Sequence, residues 1–229
     1  MSNCASLEKR DRHIAKIAPI TQRTEVDCLG YAWFRSAGDN NVVPHYWLRG
    51  LEITPQANSV DHRASDEYKA FRAAVASESL LSRPSDLRFW RPMGIGYESR
   101  EGGLDLAVRA QGRARYAVVH ELEFDADRRG VVKAALTSLA DQALDTPAVL
   151  TFWPLGRGEG DGGSALVFSV FDDKEAAETF ESAPNSCFWQ QIAGLCKSQR
   201  RTTWIESGIG FIGRELCSGY NSLNRQRTT

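Results

Sequence analysis

The feature that most limits what this chain can fold into is a repeat. Leu29-Gly30-Tyr31-Ala32-Trp33-Phe34 lies against Ala148-Val149-Leu150-Thr151-Phe152-Trp153, and Phe89-Trp90 takes the part of Thr203-Trp204. Met93-Gly94-Ile95-Gly96-Tyr97 is echoed by Ser207-Gly208-Ile209-Gly210-Phe211. Such internal similarity means one supersecondary unit used twice, and it must be settled before any other feature is read.

The second copy is the clearer one. Tyr116 to Phe124 alternates as a strand, Arg129 to Leu144 carries Val132, Ala135, Leu136 and Leu139 on one helical face, and Ala148 to Pro154 is again a strand. A glycine-rich turn, Gly156 to Gly163, leads into the strand Ala165 to Phe171. Lys174 to Leu195 is helical with an interruption at Pro184, and Arg201 to Ile205 begins the closing strand. The order is β-α-β-β-α-β, the ferredoxin-like unit. In the first copy a surface helix from Leu7 to Arg23, frayed near Pro19, precedes a hairpin of Cys28–Phe34 and His45–Ile53. A helix over Asn58–Leu81 and a short strand over Leu87–Pro92 follow, so that copy lacks its first strand. The expected fold is α+β: tandem ferredoxin-like repeats with antiparallel sheets, the first over 1–112, the second over 113–216, and a polar flexible tail over 217–229. Helices cover one face of each sheet, so the bare aromatic faces are expected to meet around a pocket for a small aromatic molecule.

Composition narrows the partners. A net charge of -1 among 229 residues gives no basic footprint for nucleic acid, and no run approaches the roughly 18 apolar residues of a membrane span. Five cysteines without CxxC spacing, and no signal-like run after Met1, favour a reducing cytoplasm and speak against a cysteine metal site. The run Gly156–Gly163 joins two strands and opens no helix, so it lacks the geometry of a phosphate-binding loop.

The sequence resembles the antibiotic biosynthesis monooxygenase family of dimeric α+β barrels, in particular tandem-domain members of fungal secondary metabolism. The resemblance rests on Cys28-Leu29-Gly30-Tyr31, Asp61-His62-Arg63-Ala64-Ser65-Asp66-Glu67-Tyr68-Lys69-Ala70-Phe71, Leu87-Arg88-Phe89-Trp90-Arg91-Pro92, and Phe168-Ser169-Val170-Phe171-Asp172-Asp173-Lys174-Glu175-Ala176. It covers roughly residues 7 to 100 and 115 to 212 and implies a barrel cavity. It further implies, for oxygenating members, oxidation of polycyclic phenols to quinones by dioxygen with no metal or flavin. Where such members and haem-degrading ones often place a Trp at the end of the third strand, this chain has Ile53 and Phe171, which points away from haem degradation.

Oxygenation without a cofactor needs a base near neutral pKa, a partner for the phenolate and a dry site, and histidine is the natural base. Three of the four histidines are candidates, and the sequence does not choose between them. His120 shares a strand face with Val118 and Leu122, and is the favoured base if that face lines the pocket. His62 opens a helix, at a position where the family often has a histidine. His45 alternates with Trp47 and Arg49 along one strand face, offering a base, a stacking platform and a cation. Tyr31, Trp33 and Arg35 share a face of the neighbouring strand, and the two sets are expected on one side of the sheet as the substrate-binding surface. Trp90, Trp153, Trp189 and Trp204 are read as core. The expected function is a cofactor-independent monooxygenase acting on a polycyclic, polyketide-type phenol. A cyclase, dehydratase or isomerase using the same cavity, and a non-catalytic binding protein, are the alternatives. Either a monomer completes the barrel or a homodimer does.

Overall fold

The computed structural model describes residues 4–25, 28–37, 46–52, 63–80, 88, 90–100, 103–108, 114–157, 163–182 and 186–213. The elements run α1 (Cys4–Thr24), β1 (Cys28–Ser36), β2 (Tyr46–Glu52), α2 (Asp66–Ser77), β3 (Arg91–Pro92), β4 (Leu104–Asp105), β5 (Tyr116–Phe124), α3 (Arg129–Asp145), β6 (Val149–Gly156), β7 (Ser164–Phe171), α4 (Lys174–Glu181), α5 (Ser186–Leu195) and β8 (Cys196–Ile212). The second repeat follows the expected order throughout. Its closing strand, however, starts at Cys196 rather than Arg201. In the first repeat α1 continues through Pro19 to Thr24, so the proline does not end the helix. His45, Ile53, His62, most of Leu81–Phe89 and the tail lie outside the described residues.

The strands form a single antiparallel sheet of order β2-β1-β8-β5-β7-β6-β3, with β4 also on β8. The two expected sheets are one because β8 is long enough to serve both repeats. Its first part pairs with β5, from Phe124↔Cys196 to Tyr116↔Ile205, and its last part pairs with β1, from Ser36↔Trp204 to Gly30↔Ile212. Beyond the end of β5, β4 takes the vacated side of β8 through Leu104↔Ile212 and Asp105↔Phe211.

That sheet is curled. Two strands separate β1 from β7, so on a flat sheet the two would stand roughly 14 Å apart, at about 4.8 Å per step. The rings of Phe34 and Phe168 nevertheless meet edge to face with centroids 5.7 Å apart. The inner face is an apolar cluster that includes Ala32, Phe34, Ala117, Val119, Trp153, Leu155, Phe168 and Val170, with Trp90 and Trp204 packed against it. The outer face is covered by helices. Ile14, Ile17 and Ala18 of α1 lie over Tyr31, Trp33 and Phe211, and Val132, Leu136 and Leu139 of α3 lie over Val118, Leu122, Val149 and Phe152.

The repeat is visible in the backbone as well as in the sequence. Gly94 and Gly208 both have positive φ, as do Gly96 and Gly210. Tyr97 bridges to Phe152 of the other repeat, and Phe211 pairs with Tyr31 of the other repeat. Each closing segment therefore crosses onto the partner repeat through a Gly-x-Gly step.

Candidate active site

Alternation along β5 decides where His120 points. Tyr116, Val118, Leu122 and Phe124 belong to the helix-covered cluster, while Ala117 and Val119 belong to the inner one. His120 has the parity of the former. The condition under which it was favoured, a face lining the space between the sheets, is not met, because its face is the one roofed by α4 and α5. It is nonetheless buried, at 4% exposure.

Four side chains surround its imidazole. Asp173 caps α4 by accepting from the Ala176 N–H, and Ala177 and Phe180 bury one face of that helix. Glu181, the helix's last residue, follows Ala177 by four positions and so shares its face. Its Oε1 lies 2.7 Å from His120 Nε2. Arg201, opposite His120 in the β5–β8 register, donates from Nε to Glu181 Oε2 at 3.1 Å and from Nη2 to the same oxygen at 2.5 Å. The side-chain amide of Gln199 places its nitrogen 3.1 Å from His120 Nδ1. Trp189 of α5 stacks on the imidazole with centroids 4.0 Å apart and planes 17° apart.

This network assigns the tautomer. With an amide N–H donating to Nδ1, that nitrogen is the acceptor, and Nε2 carries the proton that is donated to Glu181. The result is a carboxylate-backed imidazole whose Nδ1 faces Gln199, an exposed residue. Burial alone would raise the Glu181 pKa, but the hydrogen bonds from His120 and Arg201 and the positive charge of Arg201 hold it below the usual 4.5. A depressed folded-state pKa contributes stability that is fully present above the unfolded value and is lost as pH falls through the folded value. Wild type is therefore expected to lose urea resistance below about pH 4.5 more steeply than Glu181→Gln, which has no carboxyl to titrate. Parallel acid profiles of the two proteins would mean that the pair does not couple to folding.

The other sequence candidates are dispersed. Tyr31 and Trp33 are buried on the helix-covered face of β1 beside Ile14, Ile17 and Phe71. Burial drives the Tyr31 hydroxyl far above the ordinary phenol value, so it is no acid or base near neutrality. Arg35 is ion-paired with Asp11 of α1. Trp47 and Arg49 stand opposite Phe34 and Ala32 in the β1–β2 register, whereas Trp33 stands opposite Leu48. The two aromatic sets thus occupy register positions of opposite faces, because a one-residue offset in pairing reverses every side. The expectation that they share one surface is corrected accordingly.

A second buried ionic pair has a structural part. Arg115 donates from Nη1 to Glu206 Oε2 at 3.2 Å and to the Asp105 carbonyl at 2.8 Å, and from Nη2 to the Val108 carbonyl at 2.8 Å. It clasps the 104–108 segment to β8. Among the described residues no three His, Cys, Asp or Glu side chains converge as a metal site, and no helix is long and apolar enough to cross a membrane.

Sequence reasoning missed Glu181, Gln199 and Arg201, and read Trp189 as core. Glu181 had a signal, a carboxylate in line with Ala177 and Phe180 on an apolar helix face. Gln199 had none, because it precedes the point at which the closing strand was expected to start.

No family model matches the chain, and no curated protein matches it. Solved structures do. A protein of Lactobacillus acidophilus NCFM, provisionally named a monooxygenase, is similar with a TM-score of 0.70 at 11% identity, over 92% of this chain and 90% of that one. A Fusobacterium nucleatum protein with the same provisional name gives 0.67 at 13% identity, over 94% and 93%. An anthrone oxidase-like protein gives 0.52 at 13%, over 92% and 90%. The likeness runs through both repeats, and at these identities it is one of architecture: the chain has the doubled ferredoxin-like α+β fold with a curled antiparallel sheet.

Proposed function

We propose that this chain is a cofactor-independent monooxygenase that oxidises a polycyclic aromatic phenol, with His120 as the base. The observation that carries the reading is the buried His120–Glu181 pair, whose second ring nitrogen, Nδ1, is held only by the exposed Gln199 amide, which a substrate can displace. The whole-chain likeness to proteins provisionally named monooxygenases, and to an anthrone oxidase-like protein, supports the same reaction class.

The chemistry follows from the parts. A phenolic or enolic O–H gives its proton to His120 Nδ1, and the bond's electron pair stays on oxygen. Glu181 stabilises the imidazolium through Nε2, and Arg201 keeps Glu181 ionised and oriented. The electron-rich anion is what reacts with dioxygen. For an anthrone, one O2 is consumed, one oxygen atom enters the ring as the new quinone carbonyl, and the other leaves as water with the two displaced hydrogens. All five residues come from β5, α4, α5 and β8 of one repeat, so the reading requires one site per chain.

Oxygen uptake with a panel of anthrones and related polyphenols tests it. Wild type is expected to consume one O2 per quinone formed, and His120→Gln to lose kcat about 100-fold, within the range for loss of a general base. Product without uptake would replace the oxygenase with a cyclase or isomerase on the same base. Binding without turnover would make the protein a carrier.

A further inference from the structure

The indole nitrogen of Trp189 is buried and has no hydrogen-bond partner among the described residues. It sits on a ring stacked 4.0 Å above His120, whose own two nitrogens are both engaged. A buried donor left unpaired is unfavourable and uncommon in folded proteins. It is retained here on the ring that stacks on the His120 imidazole. Packing alone does not explain an indole in this place, since a phenylalanine would stack on the imidazole without burying an unmatched N–H.

We infer that the Trp189 N–H is the donor reserved for a ligand oxygen, the one that His120 deprotonates. This rests on the functional reading above and names the ligand class for the same site: a planar aromatic whose reacting oxygen is a phenol or enol, turning anionic when bound. The step is a proton transfer only. The O–H bond breaks, the Nδ1–H bond forms, and the electron pair remains on oxygen. A hydrogen bond to that oxygen strengthens as it gains charge, so the indole favours the anion over the neutral ligand. The Gln199 amide, exposed and on the Nδ1 side, holds the place of the ligand's O–H until it enters.

Trp189→Phe keeps a ring for the stack and deletes only the donor. The probe is 1,8-dihydroxyanthrone under anaerobic conditions, with the absorbance of its anion read against pH on the full chain, and kcat then measured in air. Trp189→Phe is expected to bind the probe, to ionise it only at a pH about one unit higher, and to lose kcat about tenfold, for one charge-assisted hydrogen bond. Its urea midpoint is expected to equal or exceed that of wild type, because an unmatched donor has been removed. If Trp189→Phe ionises and turns over the probe like wild type while His120→Gln does not, the indole inference is overturned and the monooxygenase reading stands. A fall in urea midpoint with an unchanged probe titration would show that the indole is structural only. Failure of wild type itself to ionise the bound probe would overturn both.

Discussion

Gly210→Ala is expected to cost about 3 to 5 kcal/mol of folding stability, because backbone atoms rather than movable side chains stand in the way. Gly210 has φ of 112°, and a Cβ there would lie 1.9 Å from the Tyr31 carbonyl oxygen and 2.8 Å from the Ala32 Cα. That is in the last part of β8, past its final pairing with β5 at Ile205 and deep in its pairing with β1, with Ala32↔Gly210 in register and the Leu106 N–H bonded to the Gly210 carbonyl. Making room separates the two repeats along their shared strand. Gly94 supplies the control, since its φ is 72° but a Cβ would meet nothing within 4 Å. Gly94→Ala should cost only the backbone strain, about 1 to 2 kcal/mol. Urea unfolding of both variants measures the difference. Equal losses would mean that the close approach at Gly210 relaxes freely and that the crossing is not what holds the repeats together.

Arg100→Ala should be comparably damaging, at about 3 to 5 kcal/mol, on the basis that hydrogen bonds to a charged group contribute roughly 1.5 to 3 kcal/mol each and are not additive. The guanidinium donates from Nε to the Val149 carbonyl at 2.8 Å, and from Nη2 to those of Ala143 at 3.1 Å, Leu144 at 3.3 Å and Thr146 at 2.7 Å. These carbonyls cluster at the end of α3 and the start of β6, where those of Ala143 and Thr146 also accept from the Thr146 and Val149 N–H groups, and a cation is the right charge for a helix C-terminus. Tyr97 assists, donating from its hydroxyl toward Ala143 and Val149, and burial pushes that hydroxyl up to about 12. One strap from the first repeat thus closes the second repeat's helix–strand turn. Arg100→Lys, which presents a single ammonium in place of the fork, should recover only part of the loss. Full stability in Arg100→Ala would mean that water replaces the guanidinium at no net cost.

What the sequence revealed of this fold depended on range. Residues whose role is settled by near neighbours were legible: the alternation of Tyr116–Phe124, the helical face of Val132, Leu136 and Leu139, and the Gly-x-Gly echo. What depended on register across the sheet was not. Tyr31, Trp33 and Arg35 formed a correct set on one face, but nothing in either strand could say that Trp47 would pair with Phe34 and not with Trp33. His120 stood out as a polar ring among apolar neighbours, favoured only on the condition that its face lined the pocket, and that face is the one covered by helices. Its partners Glu181 and Arg201 are far away in sequence and become neighbours only once α4 ends above β5 and β8 runs beside it. Three residues from three elements share no single stretch of sequence that would show them as a group.

The long β8 strand makes the molecule indivisible. Gly30 finds its partner at Ile212, so the hairpin of β1 and β2, formed early in the chain, has its second neighbour only in a strand that emerges much later. Pairings of such separation are entropically slow to form, and here every one of them waits on the same strand. A cut between the two repeats would therefore leave β1 without its second neighbour. A nascent chain holds β1 with one open edge until β8 arrives, and in the finished protein a disturbance at either end of β8 is shared by both halves, the His120 site included.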